Sequence, residues 1–100
     1  MSFNERVWNI CRKIPKGRVT TYKLVAEALG SKAYRAVGNA LNRNPDSSVI
    51  PCHRIVKSDG SLGGFARGAV LKKKMLEKEG IKISEGKVAG FSRVLFRFRK

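Results

Sequence analysis

This chain is poor in the residues that hold metals, disulfides and membranes. Its 100 residues include two cysteines, Cys11 and Cys52, and a single histidine, His53. A structural zinc ion wants about four clustered sulfur or nitrogen ligands, so no metal site is expected. Two separated thiols close at most one disulfide and form no paired framework, which fits a reducing intracellular setting. No apolar run approaches the roughly 20 residues that cross a bilayer, and Met1 to Glu5 lacks the apolar segment of a secretory signal. The expectation is a protein that stays in the cytoplasm, away from membranes. One hundred residues also suffice for one domain and are too few for two, so residues 1–100 are read as a single unit.

Acidic residues are scarce as well, seven against 22 lysines and arginines, for a net charge of +15. A field of that sign favours a polyanion, with nucleic acid the leading partner. A solvated basic surface, a ribosome or an anionic membrane surface would suit the same charge. Charge alone does not say what is done to the nucleic acid.

Ser2 and Glu5 have capping-box spacing, and Phe3, Val7, Ile10, Cys11 and Ile14 recur at helical spacing until Pro15-Lys16-Gly17. Arg18-Val19-Thr20 leans to β. A second helix, capped by Thr20 or Thr21, buries Leu24, Val25, Ala28 and Leu29 and ends at Gly30. Ser31 is placed to cap a third helix running to Asn42 or Arg43, with Ala33, Ala36, Val37, Ala40 and Leu41 inside. Its outer stripe is Lys32, Arg35, Asn39, Asn42 and Arg43. Two short helices joined at Gly30-Ser31, the second polar and basic outside, read as a helix-turn-helix. Gly38 weakens the third helix by up to about 1 kcal/mol and lets a backbone come close, either that of the first helix or a nucleic-acid surface.

Asn44 to Ser48 reads as a turn-rich linker, residues 50–56 as partly extended around Pro51, and Ser58-Asp59-Gly60 as a chain reversal. Four glycines between Gly60 and Gly68 predict a mobile loop. Ala69 to Glu79 forms a fourth helix with Leu71, Met75 and Leu76 inward, and a hairpin around Glu85-Gly86 is expected near residues 82–98. The expected class is mainly α with small β elements, a helix-turn-helix or winged-helix-like domain with a C-terminal hairpin.

Pro51-Cys52-His53-Arg54 is the densest reactive cluster. A cysteine attacks as thiolate, and a free thiol of pKa about 8.5 holds little of it at neutral pH. His53, Arg54 and Lys57 would favour the anion, and the imidazole can take the thiol proton directly or through a water. Neighbouring strand residues point apart, so direct contact needs a bent backbone; a buried structural cysteine beside a surface histidine fits the dipeptide equally. Glu79, in the last turn of the fourth helix, faces the negative end of the helix dipole and calls for a compensating partner. That partner is either His53, completing a nucleophile–base–orienter relay, or Lys72 or Lys78 on the surface.

Ile50-Pro51-Cys52-His53-Arg54-Ile55-Val56 resembles the active-site signature of the O6-alkylguanine-DNA alkyltransferases. Arg35-Ala36-Val37-Gly38-Asn39-Ala40 with Asn44-Pro45 resembles that family's recognition helix and hinge. Leu76-Glu77-Lys78-Glu79-Gly80 resembles its closing helix. The likeness covers roughly residues 3–80, the family's catalytic domain without the separate N-terminal domain many members carry. It implies that Cys52 accepts the alkyl group, His53 is a water-mediated base, Glu79 holds its ring and Asn44 orders the hinge. It further implies that Arg35 enters the duplex as a finger and that Tyr22 presses on the phosphate beside the lesion. Lys32, Ala36, Gly38 and Asn39 would face the minor groove, and Pro51, Ile55, Phe65 and Ala66 would line the pocket for the everted base. The implied partner is double-stranded DNA containing O6-alkylguanine, bound by a monomer and nucleoid-associated in a prokaryote; no cofactor is implied, since the damaged base is the alkyl donor.

Two positions depart from the pattern. Phe65 stands where the family usually has a tyrosine that donates to the departing guanine, and Ala66 replaces a frequent serine. A lost donor at a developing anion costs up to about 10²–10³ in rate. A second reading is thus a lesion-recognition protein of the alkyltransferase-like kind, although those typically lack the cysteine. A plain basic winged-helix regulator is the third.

Overall fold

The computed structural model describes residues 1–44, 50–63 and 68–98. Helix α1 (Phe3–Cys11) starts on the expected capping box: Ser2 Oγ accepts from the Glu5 amide at 3.2 Å and Glu5 Oε1 from the Ser2 amide at 3.0 Å. It stops at Cys11, one turn before the apolar spacing does. Pro15 disfavours helical backbone at Ile14, so residues 12–14 close as turns and still bury Ile14.

Strand β1 (Thr20–Thr21) pairs in parallel with β2 (Ile55–Val56), Thr20 opposite Ile55 and Thr21 opposite Val56. Of the two threonines offered as caps, Thr21 is the one used: its Oγ1 accepts from the Leu24 amide at 3.1 Å and opens α2 (Tyr22–Ala28). The sealed residues of α2 are Val25 and Ala26, whereas Leu24, Ala28 and Leu29 are half-buried. The expected face is rotated because α1, α3 and β1 all pack on this helix. Gly30 ends the segment at φ +69°, where a Cβ would be strained.

Ser31 does not cap the third helix. Its Oγ accepts from the Ala33 amide, and α3 (Tyr34–Asn42) begins behind Ala33 with no side-chain cap. Ala33 is therefore exposed and Ala36 half-buried, leaving Val37, Ala40 and Leu41 as the inner face. Trp8 ties α1 to this helix by donating to the Ala40 carbonyl at 2.8 Å. The helices α2 and α3, joined across Gly30, form the helix-turn-helix.

Residues 45–49 of the linker and 64–67 of the glycine-rich loop lie outside the described residues. Residues 52–54 are not extended: Cys52–Arg54 form one turn of 3₁₀ helix after Pro51, and only Ile55 and Val56 reach the sheet. Helix α4 (Ala69–Lys78) buries Leu76 as expected, but Lys72, not Leu71 or Met75, is its other sealed residue. The C-terminal hairpin is shorter than 82–98. Strands β3 (Ile83–Ser84) and β4 (Lys87–Val88) turn at Glu85 and Gly86, both at positive φ, and a short helix α5 (Phe91–Val94) follows.

Two apolar clusters meet at the β1–β2 pair. Val7, Cys11, Ile14, Val25, Val37, Ile50, Cys52 and Ile55 belong to the first. Val19, Val56, Leu62, Leu76, Ile81 and Val88 form the second. Ile55 and Val56 alternate between them, as successive strand residues must.

Candidate active site

Cys52 and His53 share a 3₁₀ turn instead of alternating along a strand. Both side chains are buried, Cys52 at 8% and His53 at 5% exposure. Asn44, at the end of α3, donates from Nδ2 to the Ile50 carbonyl and to Cys52 Sγ, each at 2.9 Å. The segment leaving α3 is thereby hydrogen-bonded to the Cys52 sulfur.

His53 Nε2 lies 2.9 Å from Glu79 Oε2. Arg54 grips the same carboxylate with Nε to Oε1 at 2.9 Å and Nη2 to Oε2 at 2.7 Å, while its Nη1 donates to the Ile14 carbonyl. Burial works against ionised Glu79, but the Arg54 and His53 hydrogen bonds outweigh it and hold the pKa at about 2. An ionised carboxylate can only accept, so Nε2 carries the imidazole proton and the lone pair sits on Nδ1. That Nδ1 is buried and has no hydrogen-bond partner among the described residues. Burial also lowers the His53 pKa from its usual 6.5, against the opposing pull of Glu79. The ring is neutral near pH 7 and able to take a proton.

Glu79 thus pairs with His53 and Arg54 rather than with Lys72 or Lys78, and the unfavourable end of the α4 dipole is compensated. Apart from its charge, nothing in the spacing of Arg54 marked it as a member of this set.

Lys72 is the residue that sequence reasoning missed. Fully buried on α4, it donates from Nζ to the Ile55 carbonyl and lies 5.9 Å from the centroid of the Tyr22 ring. Burial pushes its pKa down to about 8, with the Cys52 charge pulling the other way. Tyr22 and Cys11 are both raised, by burial first and by Cys52 second, Cys11 to about 12. Cys11 is a core thiol, and Lys72 sets a cation against the neighbourhood of Cys52. The spacing of Lys72, four residues before Leu76, puts it on the buried face, but a lysine there reads in sequence as a solvated charge.

The other expected residues divide in two. Lys32, Arg35, Asn39, Asn42 and Arg43 are all exposed, on α3 or flanking it. A Cβ on Gly38 would meet nothing within 4 Å, so no contact with α1 requires a glycine there. Pro51 is buried, and Ile55 is sealed in the core beside Cys52. Phe65 and Ala66 lie outside the described residues. Among the described residues no group of three potential metal ligands occurs, and no helix is long and apolar enough to cross a membrane.

The sequence model described as 6-O-methylguanine DNA methyltransferase, DNA binding domain, matches residues 2–81. A methylated-DNA–protein-cysteine methyltransferase from Sulfolobus acidocaldarius is 54% identical over 82 residues, 82% of this chain and 52% of that protein. The chain spans about half the length of the curated relatives it matches. Mycobacterium tuberculosis OGT in complex with DNA superposes with a TM-score of 0.76 at 38% identity, over 79% of this chain and 50% of that one. S. pombe Atl1, in complex with damaged DNA containing O6-carboxymethylguanine, gives 0.84 at 26% identity over 95% and 94%. The chain belongs to the 6-O-methylguanine DNA methyltransferase family, whose DNA-binding domain it carries.

Proposed function

We propose that this protein, acting as a monomer in the cytoplasm, binds duplex DNA containing O6-alkylguanine, turns the damaged nucleotide out, and takes its alkyl group irreversibly onto Cys52. The observation that carries this reading is Asn44 donating to Cys52 Sγ, while His53, next on the same 3₁₀ turn, is hydrogen-bonded to the Glu79 carboxylate that Arg54 also holds.

The thiol proton passes to His53 Nδ1 through a water, and Glu79 stabilises the imidazolium that forms. The thiolate attacks the alkyl carbon in line with guanine O6. The new S–C bond forms as the C–O6 bond breaks, and the leaving guanine takes the electron pair and then a proton. No cofactor enters, and the thioether ends the cycle. The cation of Lys72 favours the thiolate before attack.

Extruding the base costs a few kcal/mol. Arg35 offsets part of that by filling the gap with its planar guanidinium, and Tyr22 presses on the adjacent phosphate. Lys32 and Asn39 hold the flanking backbone. Ala36 and Gly38 supply a surface flat enough for a minor groove, which the open space at Gly38 supports. Phe65, where a tyrosine is usual in the family, makes transfer slow without abolishing it.

The near full-length likeness to Atl1 favours a second reading, binding of the lesion without transfer. One measurement separates the two. After incubation with an O6-methylguanine duplex, mass spectrometry of the Cys52 peptide should show one added methyl, absent in Cys52→Ala. An unmodified peptide, with the lesion duplex still bound more tightly than intact duplex, would leave the second reading standing.

A further inference from the structure

The family match ends at residue 81, yet residues 82–98 are bonded into the two segments that flank Tyr22. The hairpin arm binds the loop that follows β2. The Val88 amide donates to the Gly60 carbonyl at 2.9 Å, the Leu62 amide to the Gly86 carbonyl at 3.2 Å, and Ser61 bridges Lys87 in antiparallel register. Phe91 of α5 lies against Gly60 so closely that a Cβ there would meet its ring at 3.3 Å. Three residues on, a Cβ at Gly63 would stand 3.6 Å from the Tyr22 hydroxyl and 3.3 Å from Lys57 Cγ. Residues 60–63, held by the hairpin arm, therefore run beside the free end of the Tyr22 side chain.

The tail arm holds the other end. Val19 donates to the Val94 carbonyl at 3.0 Å and accepts from the Phe96 amide, and Thr20 Oγ1 donates to the Phe96 carbonyl at 2.9 Å. Val19 and Thr20 lead straight into Thr21, the cap of α2, and Tyr22, its first residue. Val88 seals the second apolar cluster, with Ile83, Phe91 and Val94 packed against it, so the two arms form one body.

We infer that residues 82–98 are a clamp that positions Tyr22, with Phe91 and Thr20 as the positioning residues of its two arms. The inference rests on the proposed role of Tyr22 in turning out the damaged nucleotide. A tyrosine that must meet a phosphate with its hydroxyl beside a glycine loop needs that loop fixed, because a displacement of about 1 Å costs up to about 10²-fold. The two backbone bonds and the Phe91 ring hold it from beyond the segment that the family model matches.

The test is a double-mutant cycle between Phe91→Ala and Tyr22→Ala, read as the ratio of affinities for an O6-methylguanine duplex and the same duplex undamaged. Folding is checked by circular dichroism and by Trp8 fluorescence, which reports on α3 through the Ala40 bond. In the parent background Phe91→Ala should lower the ratio about tenfold and leave affinity for intact duplex within about twofold. In the Tyr22→Ala background the same change should do nothing further, since residues acting through one another are not additive. Thr20→Val, which removes only the tail hydrogen bond, should behave alike and replaces Phe91→Ala if that variant does not fold. Equal losses in both backgrounds, or an unchanged ratio in a folded variant, would overturn the clamp. Failure of alkyl transfer alone, with lesion preference intact in the parent, would sink the transfer reading and still leave the cycle to decide on the clamp.

Discussion

Replacing Glu79 by glutamine should convert the transfer reaction from one driven by His53 into one driven by solution pH. The carboxylate receives three donors, His53 Nε2 at 2.9 Å, Arg54 Nε at 2.9 Å and Arg54 Nη2 at 2.7 Å. Glutamine offers one oxygen and one NH₂ group. Arg54, always charged, takes the oxygen, and the NH₂ faces His53. The ring then accepts at Nε2 and must carry its proton on Nδ1, the nitrogen that has to receive the thiol proton. In a serine protease whose triad carboxylate is replaced by an amide, the same tautomer error costs about 10⁴ in rate. The loss should be smaller here, because a cysteine ionises by itself. A free thiol keeps a small thiolate fraction near neutral pH, which sets the expected loss at about 10- to 100-fold. The variant rate should then climb with rising pH, while the parent stays nearly flat over the same range. Single-turnover transfer from an O6-methylguanine duplex, followed by mass spectrometry from neutral to alkaline pH, measures both. A variant rate within about twofold of the parent, or two parallel profiles, would refute the relay. Thermal melting must accompany the assay, since weakening a nearly buried ion pair is expected to cost about 2 kcal/mol.

Three other outcomes follow from the same geometry. Gly38→Ala should stabilise the fold by about 1 kcal/mol, since a helical glycine gains propensity and the new methyl meets nothing, while weakening duplex binding in a titration; unchanged affinity would remove the groove role of this face. Lys72→Met should slow transfer about tenfold by removing the cation near Cys52, with melting temperature equal or higher because a buried charge is lost; an unaffected rate would make Lys72 structural. Glu79, depressed from 4.5 to about 2, contributes stability that is fully present above about pH 4.5 and is lost as pH falls toward 2. Acid unfolding followed by circular dichroism should therefore lose a step of that span in Glu79→Gln.

The parts of the fold that were legible in the sequence are those fixed locally. The capping box at Ser2, the Thr21 cap, Gly30 at the helix end and the Glu85-Gly86 turn each need only a few neighbouring residues, and each is found where its spacing puts it. What depended on packing was less legible. Which turn of α2 is sealed follows from three elements closing on it, and where α3 starts follows from Ser31 committing its hydroxyl to a local turn. The C-terminal stretch read as one long hairpin because its β-formers alternate, but the tertiary pairing of Leu95 with Val19 captures its second half. At the site, Cys52, His53 and Glu79 were readable as reactive types. The 3₁₀ turn that holds Cys52 and His53 is one that periodicity does not announce, and the burial of Lys72 was hidden by its charge.

These exceptions share a direction. A glycine in open space on α3, a buried lysine and a buried imidazole nitrogen without a partner among the described residues each lower stability by a familiar mechanism. A sequence shaped for stability alone would place alanine, leucine and an apolar residue there. Each cost instead lies on the face proposed for DNA or beside the sulfur, where it leaves room for a groove, charge for a thiolate, or a lone pair for its proton. Departures from local rules concentrated where chemistry is proposed are what a functional site leaves in a fold, and a set of relieving substitutions that raised stability and left transfer intact would break that link.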